Sequence, residues 1–349
     1  MTENKFLVWT KYTVRRRGWL FENLDKRRLK NVGLAGFNYL FRNKRLSSWP
    51  MVLKIDLSPL CNLHCSACIH SKGSDLRLTS DQRMDLGRFS KIIAEVQKSG
   101  QTLAVSMYYL GEPFIHPDVD QMCRIARDAG LNVHLSSNFS FDFSDERIAS
   151  IARSGLTHLT VCVDGATQET YGLTRVGGRL RVVLDNLERL GRFKRENHLR
   201  YPNIEVQIVK FPHNLHEIPK IREVVAKCGV DQVSEIIGKD SMTETGPDNG
   251  RIYTPLRQKG IPSCFWPYLG MVIKYNGDVI PCCIYRKGLQ YIPSEHQGVV
   301  GNVFETSVSE VWNNEVYQEI RRFVINPGIV ARNPVYKDSF CFGCEHIMK

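Results

Sequence analysis

Three cysteines lie within eight consecutive residues of this 349-residue chain, at Cys61, Cys65 and Cys68. Thiolates are soft ligands and favour iron–sulfur clusters. Three thiolates on one loop can hold three irons of a [4Fe–4S] cube, which leaves the fourth iron open to another ligand. Because an open metal position marks a reactive site rather than a structural one, this spacing predicts a reactive iron–sulfur centre.

The cysteine loop follows a predicted strand, Val52–Leu57, and α/β folds keep their chemistry at the C-terminal ends of strands. Two other interpretations are weaker. A zinc site could use His64 or His70 as its fourth ligand, but zinc sites normally draw their ligands from two pairs. Structural disulfides are disfavoured because the sequence shows no secretory signal, and we expect a reducing, cytoplasmic setting.

The pattern Cys-x3-Cys-x2-Cys after a strand closely resembles the signature of the radical SAM enzymes. The resemblance implies that the ammonium and carboxylate groups of S-adenosyl-L-methionine (SAM) bind the open iron of a [4Fe–4S] cluster held by Cys61, Cys65 and Cys68. It implies reductive cleavage of SAM to a 5′-deoxyadenosyl radical, which removes hydrogen from a substrate. It also implies a reducing partner such as flavodoxin or ferredoxin.

Short strand-like runs alternate with helical patterns between residue 51 and residue 240. Repeated strand–helix units without a hairpin signal imply parallel strands with right-handed crossovers. Six such units fit an incomplete (β/α)6 barrel, the α/β fold of the family that the chain resembles. The predicted strands are Val52–Leu57, Ala104–Tyr108, Asn132–Ser136, His158–Val163, Ile204–Val209 and Gln232–Ile236. The predicted helices are Ser80–Ser99, Pro117–Ala129, Asp145–Arg153, Arg179–Lys194 and Glu217–Cys228.

Alternation along these strands separates an apolar face from a polar one. Helices cover the outside of such a barrel, so the polar face should point inward. An inward polar face predicts a ligand cavity, and the alternative is a set of buried polar groups that hydrogen-bond to one another. The inward residues are His158, Thr160, Cys162 and Asp164 on the fourth strand, and elsewhere Lys54, Asp56, Ser106, Tyr108, His134, Ser136, Glu205 and Gln207.

A tetrapeptide after the second strand, Leu110-Gly111-Glu112-Pro113, is similar to the Gly-Gly-Glu-Pro motif of the radical SAM family. A glycine allows the backbone to approach a ligand closely, and a carboxylate accepts hydrogen bonds from an ammonium group. The resemblance implies that Gly111, Glu112 and Pro113 bind the methionine end of SAM.

Two further segments extend the resemblance. Ser136 and Asn138 match the family's Thr-Asn-Gly corner near SAM, and Asp164 with Arg175 matches an Asp-Gly-Ala…Arg-Gly-Gly stretch. By that resemblance Arg175 pairs with the SAM carboxylate. Cys162 stands where this branch of the family usually has serine, which places a thiol inside the barrel.

The C-terminal region repeats the iron–sulfur pattern with Cys264, Cys282, Cys341 and Cys344. Their spacing is similar to a shortened SPASM domain, which implies one auxiliary [4Fe–4S] cluster with four protein ligands. Four sulfurs in two pairs would also suit a structural zinc. Whether the neighbouring Cys283 is a ligand stays open.

The first fifty residues carry a net charge of +9, out of +11 for the whole chain, with large aromatic residues among the cations. Such an arm either packs on the catalytic domain with its charges in water or contacts an anionic membrane surface from the cytoplasmic side. Nucleic acid is a third, less favoured partner. No apolar run approaches the ~20 residues that span a bilayer.

We therefore expect a basic arm at 1–50, a radical SAM partial barrel at 51–240 and an auxiliary-cluster domain at 241–349. The first hypothesis for the reaction is net oxidation of a sugar, cyclitol or peptide, with the auxiliary cluster accepting an electron. The second is epimerisation, with Cys162 or Cys283 returning a hydrogen atom; Glu205 and Gln207 are further catalytic candidates inside the barrel. Peptide cross-linking is third, and a non-catalytic iron–sulfur or zinc-binding protein is the alternative from a different class.

Overall fold

One nine-stranded sheet organises the molecule, in the order β6-β5-β4-β3-β2-β1-β7-β8-β9. The structure, a computed structural model, describes residues 20–71, 78–238, 254–255, 261–262, 264–282, 298–344 and 347–348. The strands are β1 (Val52–Ile55), β2 (Ala104–Ser106), β3 (Asn132–Ser137), β4 (His158–Cys162), β5 (Asn203–Lys210), β6 (Gln232–Ile237), β7 (Gly270–Ile273), β8 (Asp278–Ile280) and β9 (Gly301–Asn302).

Helices alternate with the first six strands and close the C-terminal region. They are α1 (Lys26–Leu40), α2 (Leu86–Ser99), α3 (Val119–Asp128), α4 (Asp145–Arg153), α5 (Gln168–Thr174), α6 (Leu180–Glu196), α7 (Ile218–Lys227), α8 (Trp266–Leu269), α9 (Val308–Asn313) and α10 (Glu315–Ile325). The alternation of strand and helix confirms the predicted α/β class.

The six predicted strands are all present, and each pairs in parallel with its neighbour in sequence. Over the described residues the sheet ends at β6 on one side and at β9 on the other, so the barrel is not closed. The incomplete barrel is therefore confirmed. Its helix-covered face is apolar, as Leu53, Val105, Leu159 and Val161 are fully buried in the core.

Two strands end earlier than the sequence predicts. β1 ends at Ile55 rather than Leu57, and β2 ends at Ser106 rather than Tyr108. After β1 the chain turns at Ser58, whose hydroxyl accepts the Leu60 N–H at 3.2 Å. The residues lost from the strands therefore belong to the loops that carry the candidate site.

Two helices also differ from the prediction. α2 begins at Leu86 rather than Ser80, because the Asp85 side chain accepts the Arg88 N–H at 2.9 Å and caps the helix there. The sequence pattern also predicts one helix near Ser309–Val324, but the segment is divided into α9 and α10 at Asn314. The Asn314 side chain accepts the Tyr317 N–H at 2.9 Å and so caps α10.

The C-terminal hairpin continues the barrel sheet. β7 lies parallel to β1, with Leu53 opposite Met271, and β8 returns antiparallel to β7. The chain therefore leaves β1 at the C-terminal edge of the sheet, towards Cys61. It leaves β8 at the opposite, N-terminal edge, towards Cys282.

The described part of the basic arm packs against the barrel. Arg28, on the buried face of α1, donates from Nε to the Thr102 carbonyl at 3.0 Å and from Nη2 to the Gly130 carbonyl at 2.8 Å. These carbonyls lie just before β2 and β3, so α1 covers the N-terminal edge of the sheet. None of the described helices is both long and apolar enough to cross a bilayer.

Candidate active site at the C-terminal edge of the sheet

The Cys61–Cys68 loop is held by backbone hydrogen bonds to the segment that follows α5. The His64 N–H donates to the Val176 carbonyl at 3.0 Å, and the Ser66 N–H donates to the Thr174 carbonyl at 3.0 Å. A loop fixed at both positions presents its side chains in one arrangement.

The two histidines near this loop bind backbone atoms. The buried His70 ring places Nε2 2.9 Å from the Leu110 carbonyl. His64 Nδ1 lies 3.1 Å from the His70 carbonyl. Both rings therefore connect the cysteine loop to its surroundings, which differs from the metal-ligand role considered for them.

The three thiols of the loop influence one another. Burial raises the pKa of Cys61 to about 12, and the charges of Glu112, Cys65 and Cys68 add to the rise. Burial also raises the pKa of Cys65, against the opposing effect of Arg175. Three crowded thiolates repel one another unless a cation lies between them, so this set suits an iron–sulfur cluster.

Gly111 is needed for the contact between the Leu110–Pro113 motif and the chain before Cys61. A Cβ at Gly111 would lie 2.0 Å from the Ser58 carbonyl oxygen and 2.5 Å from that of Leu60. The adjacent Glu112 N–H donates to the Leu60 carbonyl at 2.7 Å. The close approach that was predicted for a ligand is thus made, in the described residues, to the protein backbone.

The buried Glu112 carboxylate joins two loops of the site. It accepts the Ser137 hydroxyl at 2.8 Å and the Asn138 N–H at 2.8 Å at the end of β3, and the Phe114 N–H at 3.2 Å. Burial raises its pKa to about 7 although these hydrogen bonds oppose the rise. Glu112 therefore positions the end of β3, and Ser137, the neighbour of the predicted Ser136, makes the contact.

Asn138 lies beside the cysteine loop, as the resemblance implies. Its Nδ2 donates to Asn62 Oδ1 at 2.8 Å and points to Cys61 Sγ at 3.9 Å. The predicted Ser136 is partly exposed on β3, opposite Thr160 of β4. Pro113 is buried and begins the short 3-10 turn Pro113–Ile115 that follows Glu112.

Asp164 and Arg175 form an ion pair next to the same loop. Arg175 Nε donates to Asp164 Oδ2 at 2.6 Å, and Nη1 points to Cys65 Sγ at 3.9 Å. The second Asp164 oxygen accepts the Val209 N–H at 2.7 Å. Burial disfavours the Arg175 charge, but Asp164 and Cys162 raise its pKa well above the usual range. A permanent cation is thus fixed beside the cysteines.

Cys162 reaches the same group of residues. Burial raises its pKa to about 11, opposed by Arg175 and assisted by Asp164 and Cys65. The side chain is therefore a protonated thiol at neutral pH, with an S–H bond near the cysteine loop. The predicted placement of a thiol inside the barrel agrees with these neighbours.

Deeper in the barrel, the inward polar residues bind one another. Glu205 Oε2 lies 2.7 Å from His158 Nε2 and accepts the Thr160 hydroxyl at 3.3 Å, while its other oxygen accepts the Ser234 hydroxyl. Thr160 Oγ1 also lies 2.9 Å from Nε2 of the buried His134. This is the alternative of mutually bonded polar groups, and it makes Glu205 a positioning residue rather than an exposed acid or base.

The remaining inward residues lie to either side of this network. Gln207 is partly exposed on β5, opposite Cys162 of β4. On the other side, Lys54 Nζ lies 4.1 Å from the centre of the Tyr108 ring. Polar side chains therefore span the interior from β1 to β6.

Asp56 is a residue whose importance the sequence analysis missed. Its Oδ1 accepts the Leu110 N–H at 3.3 Å, whereas the buried Oδ2 has no hydrogen-bond partner. Burial raises its pKa to about 7, against the charges of Lys274 and Lys54. Its inward position was visible in the sequence, but its neighbour β7 is brought beside it only by the fold, where the Asp56 N–H donates to the Ile273 carbonyl at 2.8 Å.

The four predicted auxiliary ligands lie in the C-terminal region, with Cys341 and Cys344 buried and Cys264 and Cys282 partly exposed. Burial raises the pKa of Tyr317, and the charges of Cys282 and Cys341 raise it further, so both cysteines lie near this ring. No three Cys, His, Asp or Glu side chains of the described residues gather at the spacing of a single metal ion. Cys283 lies outside the described residues.

The sheet and the converging cysteine, carboxylate and guanidinium groups define an α/β protein with a partial barrel and a C-terminal iron–sulfur region. The model of the radical SAM superfamily matches residues 55–225, and that of the SPASM iron–sulfur cluster-binding domain matches residues 264–345. The chain belongs to the radical SAM superfamily and carries a SPASM domain.

Individual relatives agree with this assignment. The tungsten-containing aldehyde ferredoxin oxidoreductase cofactor-modifying protein of Pyrococcus furiosus is 24% identical over 330 residues, covering 84% of this chain and 86% of that protein. The PqqA peptide cyclase of Rhodopseudomonas palustris is 25% identical over 53% of this chain and 46% of its own length. SuiB of Streptococcus suis bound to S-adenosylmethionine shares the fold, with a TM-score of 0.61 at 15% identity over 91% of this chain and 79% of that one.

The cofactors that these domains imply are SAM, a [4Fe–4S] cluster and further iron–sulfur in the SPASM domain. The residues present fit them. Cys61, Cys65 and Cys68 supply a three-thiolate set on a fixed loop, and Arg175 supplies a fixed cation beside it for an anionic group. The four C-terminal cysteines lie within the matched SPASM segment and would supply the sulfur donors of a second site.

Proposed function

We propose that this radical SAM enzyme is an oxidoreductase that dehydrogenates a small polar substrate bound inside the barrel. The observation that carries the proposal is the convergence of the Cys61–Cys68 loop with Asn138 and the Asp164–Arg175 pair at the C-terminal edge of the sheet. SAM and the cluster, when bound, supply the radical that takes a hydrogen atom from the substrate.

The chain's own residues hold the reactants in place. Arg175, fixed by Asp164, binds the carboxylate of SAM, and Asn138 fixes the cysteine loop through Asn62. Glu112 keeps the end of β3 in register with the motif loop. Such positioning is the contribution that a protein makes to cofactor chemistry, and it is worth several kcal/mol of barrier.

A second iron–sulfur site favours oxidation over reactions that return the electron to the product. A substrate radical that loses one electron and one proton becomes an oxidised product, and the electron needs an acceptor. The hairpin that leads to Cys282 is hydrogen-bonded to β1, the strand that leads to Cys61. One continuous sheet therefore supports both cysteine sets.

The substrate we favour is a small polar molecule, such as a sugar, a cyclitol or a cofactor precursor. Inward residues outside the Glu205 network are also polar, with Lys54 and Tyr108 on one side and the partly exposed Gln207 on the other. One relative, which matches 84% of this chain, is a cofactor-modifying protein. A peptide side chain is the other substrate class, supported by the likeness to a peptide cyclase.

Anaerobic reconstitution tests the proposal. The full chain, rebuilt with iron and sulfide, should hold roughly eight irons, as two four-iron cubes require, and should convert SAM to 5′-deoxyadenosine under reduction. Deuterated candidate substrates should transfer deuterium into 5′-deoxyadenosine and lose two hydrogens overall. Bound zinc in place of iron, or no SAM cleavage, would overturn the assignment of the site.

Epimerisation is the second candidate, and the position of Cys162 favours it. A protonated thiol next to Cys65 and Arg175 could return a hydrogen atom to the opposite face of a substrate carbon. For an epimerase, Cys162→Ala should still consume SAM but should yield no inverted product. For a dehydrogenase, the same variant should oxidise its substrate almost as well as the wild type. Solvent deuterium at an inverted carbon would decide for epimerisation.

A further inference from the structure

The outer face of α1 combines exposed apolar side chains in a way that its packing does not explain. Arg28, Asn31, Ala35 and Asn38 of this helix are buried against the barrel. The outer face instead presents a run of large apolar residues. These are Leu29, Phe37, Leu40 and Phe41, which are 58%, 50%, 59% and 66% exposed. Singly exposed apolar residues are ordinary, but a contiguous group of them marks an interaction site.

Positive charge surrounds this apolar group. Residues 26–45 contain seven Lys or Arg and no Asp or Glu. Six of these cations are exposed: Lys26, Arg27, Lys30, Arg42, Lys44 and Arg45. We call these six cations and the four apolar residues the α1 patch. A surface of this kind attracts a negatively charged partner over several ångströms and fixes it through apolar contact.

The α1 patch lies next to the auxiliary cysteines. Tyr39 of the same helix donates from its hydroxyl to the Pro262 carbonyl at 2.5 Å, two residues before Cys264. The Tyr39 ring packs edge-on against Tyr268 at 5.4 Å between centres. Tyr39 therefore connects the patch-bearing helix with the segment that holds an auxiliary ligand.

We propose that the α1 patch docks an acidic one-electron carrier protein, which exchanges electrons with the auxiliary iron–sulfur site. The inference rests on the proposed oxidation. Removal of a hydrogen atom leaves a substrate radical, which gives up one electron and one proton as the product forms. The proton passes to solvent. The oxidised carrier takes up the electron and is thereby reduced by one electron.

Two observations favour a carrier protein over a lipid surface. The first is size, because the Phe37 and Phe41 rings lie against each other with centres 4.3 Å apart, and a small apolar group suits the small, transient interfaces of electron-transfer proteins. The second is position, because α1 covers the N-terminal edge of the sheet and contacts the Cys264 segment there. Electron transfer requires a short distance between the docked carrier and the auxiliary cysteines, and the contact with the Cys264 segment provides it. A membrane contact would not require this segment to lie nearby.

The test measures binding, so it does not depend on turnover. Full-length reconstituted protein is titrated with an acidic flavodoxin, at low and at high salt. Lys26→Glu combined with Lys30→Glu should weaken the complex about tenfold or more, as reversed charges at an interface do. Lys220→Glu combined with Lys227→Glu is the matched control, because these lysines are also exposed, at 61% and 72%, but lie on α7. The control should bind as the wild type does.

A second variant addresses the apolar part of the patch. Phe37→Ser combined with Phe41→Ser should weaken flavodoxin binding without lowering the thermal unfolding temperature, since both rings are at least half exposed. Equal binding by the wild type, the charge variant and the apolar variant would overturn the proposal. Binding to vesicles of phosphatidylserine and phosphatidylcholine, with none to flavodoxin, would also overturn it and assign the patch to a membrane.

The docking proposal and the proposed reaction fail in different ways. With a chemical reductant and a chemical oxidant, the patch variants should cleave SAM and oxidise substrate as the wild type does. If the wild type binds flavodoxin but produces no oxidised product, the reaction is wrong while the docking surface stands. If it oxidises substrate but the patch variants bind flavodoxin normally, the docking surface is wrong.

Discussion

The two cysteine sites of the molecule are built in opposite ways. Cys61, Cys65 and Cys68 lie on one loop, which follows directly from β1. The auxiliary cysteines come from three separate segments: Cys264 before α8, Cys282 after β8, and the Cys341–Cys344 pair near the C-terminus. The first site depends on local loop geometry, whereas the second depends on packing between distant parts of the chain.

A buried arginine shows how that packing is achieved. Arg321 is fully buried and donates from Nε to the Pro267 carbonyl at 2.9 Å, from Nη1 to the Lys44 carbonyl at 2.9 Å and from Nη2 to the Trp312 carbonyl at 2.7 Å. Burial lowers its pKa to about 10, so it stays charged at neutral pH. One side chain thus ties the basic arm and α9 to α8, beside the Cys264 segment.

The largest expected effect is complete loss of SAM cleavage when the first cysteine site is disrupted and the second is left intact. Cys61→Ala, Cys65→Ala or Cys68→Ala should each abolish SAM cleavage, because three ligands are the minimum that holds the cube. The protein should remain folded and keep its auxiliary iron. Product analysis for 5′-deoxyadenosine, with iron counts and electron paramagnetic resonance, checks both statements.

Cys228→Ala is the control for loss of a cysteine, because Cys228 lies at the end of α7, away from both sites. It should cleave SAM as the wild type does. Substantial 5′-deoxyadenosine from any variant of the first three cysteines would contradict the assignment of the loop.

The second largest effect should be loss of iron from the auxiliary cysteine site when Arg321 is replaced. Arg321→Met leaves the buried carbonyls of Pro267 and Trp312 without their donor. At about 1.5–3 kcal/mol for each hydrogen bond to a charged group, the loss amounts to about 3–6 kcal/mol of unfolding free energy. We expect a lower unfolding temperature and loss of auxiliary iron, with the first cluster retained. Arg322→Met is the matched control, since Arg322 is half exposed and pairs only weakly with Glu319. Equal losses of unfolding temperature and of auxiliary iron in both variants would show that Arg321 does not hold the auxiliary region together.

The contrast between the sites also explains what the sequence could predict. The first cysteine set, the motif around Glu112 and the Asp164–Arg175 pair occupy short segments, and each reaches the edge of a parallel sheet. Parallel strands bring their C-terminal ends together whatever the details of packing. Local pattern therefore sufficed to place these residues at one site.

Other features arise only from contacts between distant segments. The β7–β1 pairing extends one sheet across two sequence regions, and it continues at Asp56, whose N–H donates to the Ile273 carbonyl at 2.8 Å. The saturation of Glu205 by His158, Thr160 and Ser234 needs three neighbouring strands in exact register. Alternation predicted that these groups face inward, but it could not decide between an open cavity and a bonded network.

A moderate effect is expected within the first site. Arg175→Lys removes the Nε–Oδ2 hydrogen bond to Asp164 and the fork that binds a carboxylate. Hydrogen bonds to charged groups contribute about 1.5–3 kcal/mol, which corresponds to roughly a tenfold to hundredfold weaker SAM affinity. Equilibrium binding of SAM to the reconstituted protein measures it. Arg179→Lys, exposed and paired with Asp142, should bind SAM normally; equal affinity in both variants would remove Arg175 from the SAM site.

A graded effect, spread over several pH units, concerns the carboxylate of Asp56 beside the first site. Burial raises the pKa of Asp56 from 3.8 to about 7, so between these pH values the folded protein holds a proton that the unfolded chain has released. Stability therefore falls as the pH rises through this window, by about 4 kcal/mol in all if the full shift is realised. Asp56→Asn should remove that part of the slope and become stabilising relative to the wild type towards neutral pH. Denaturant unfolding across the window, with the exposed Asp128→Asn as control, measures the difference; parallel curves for the wild type and Asp56→Asn would show that Asp56 carries no such cost.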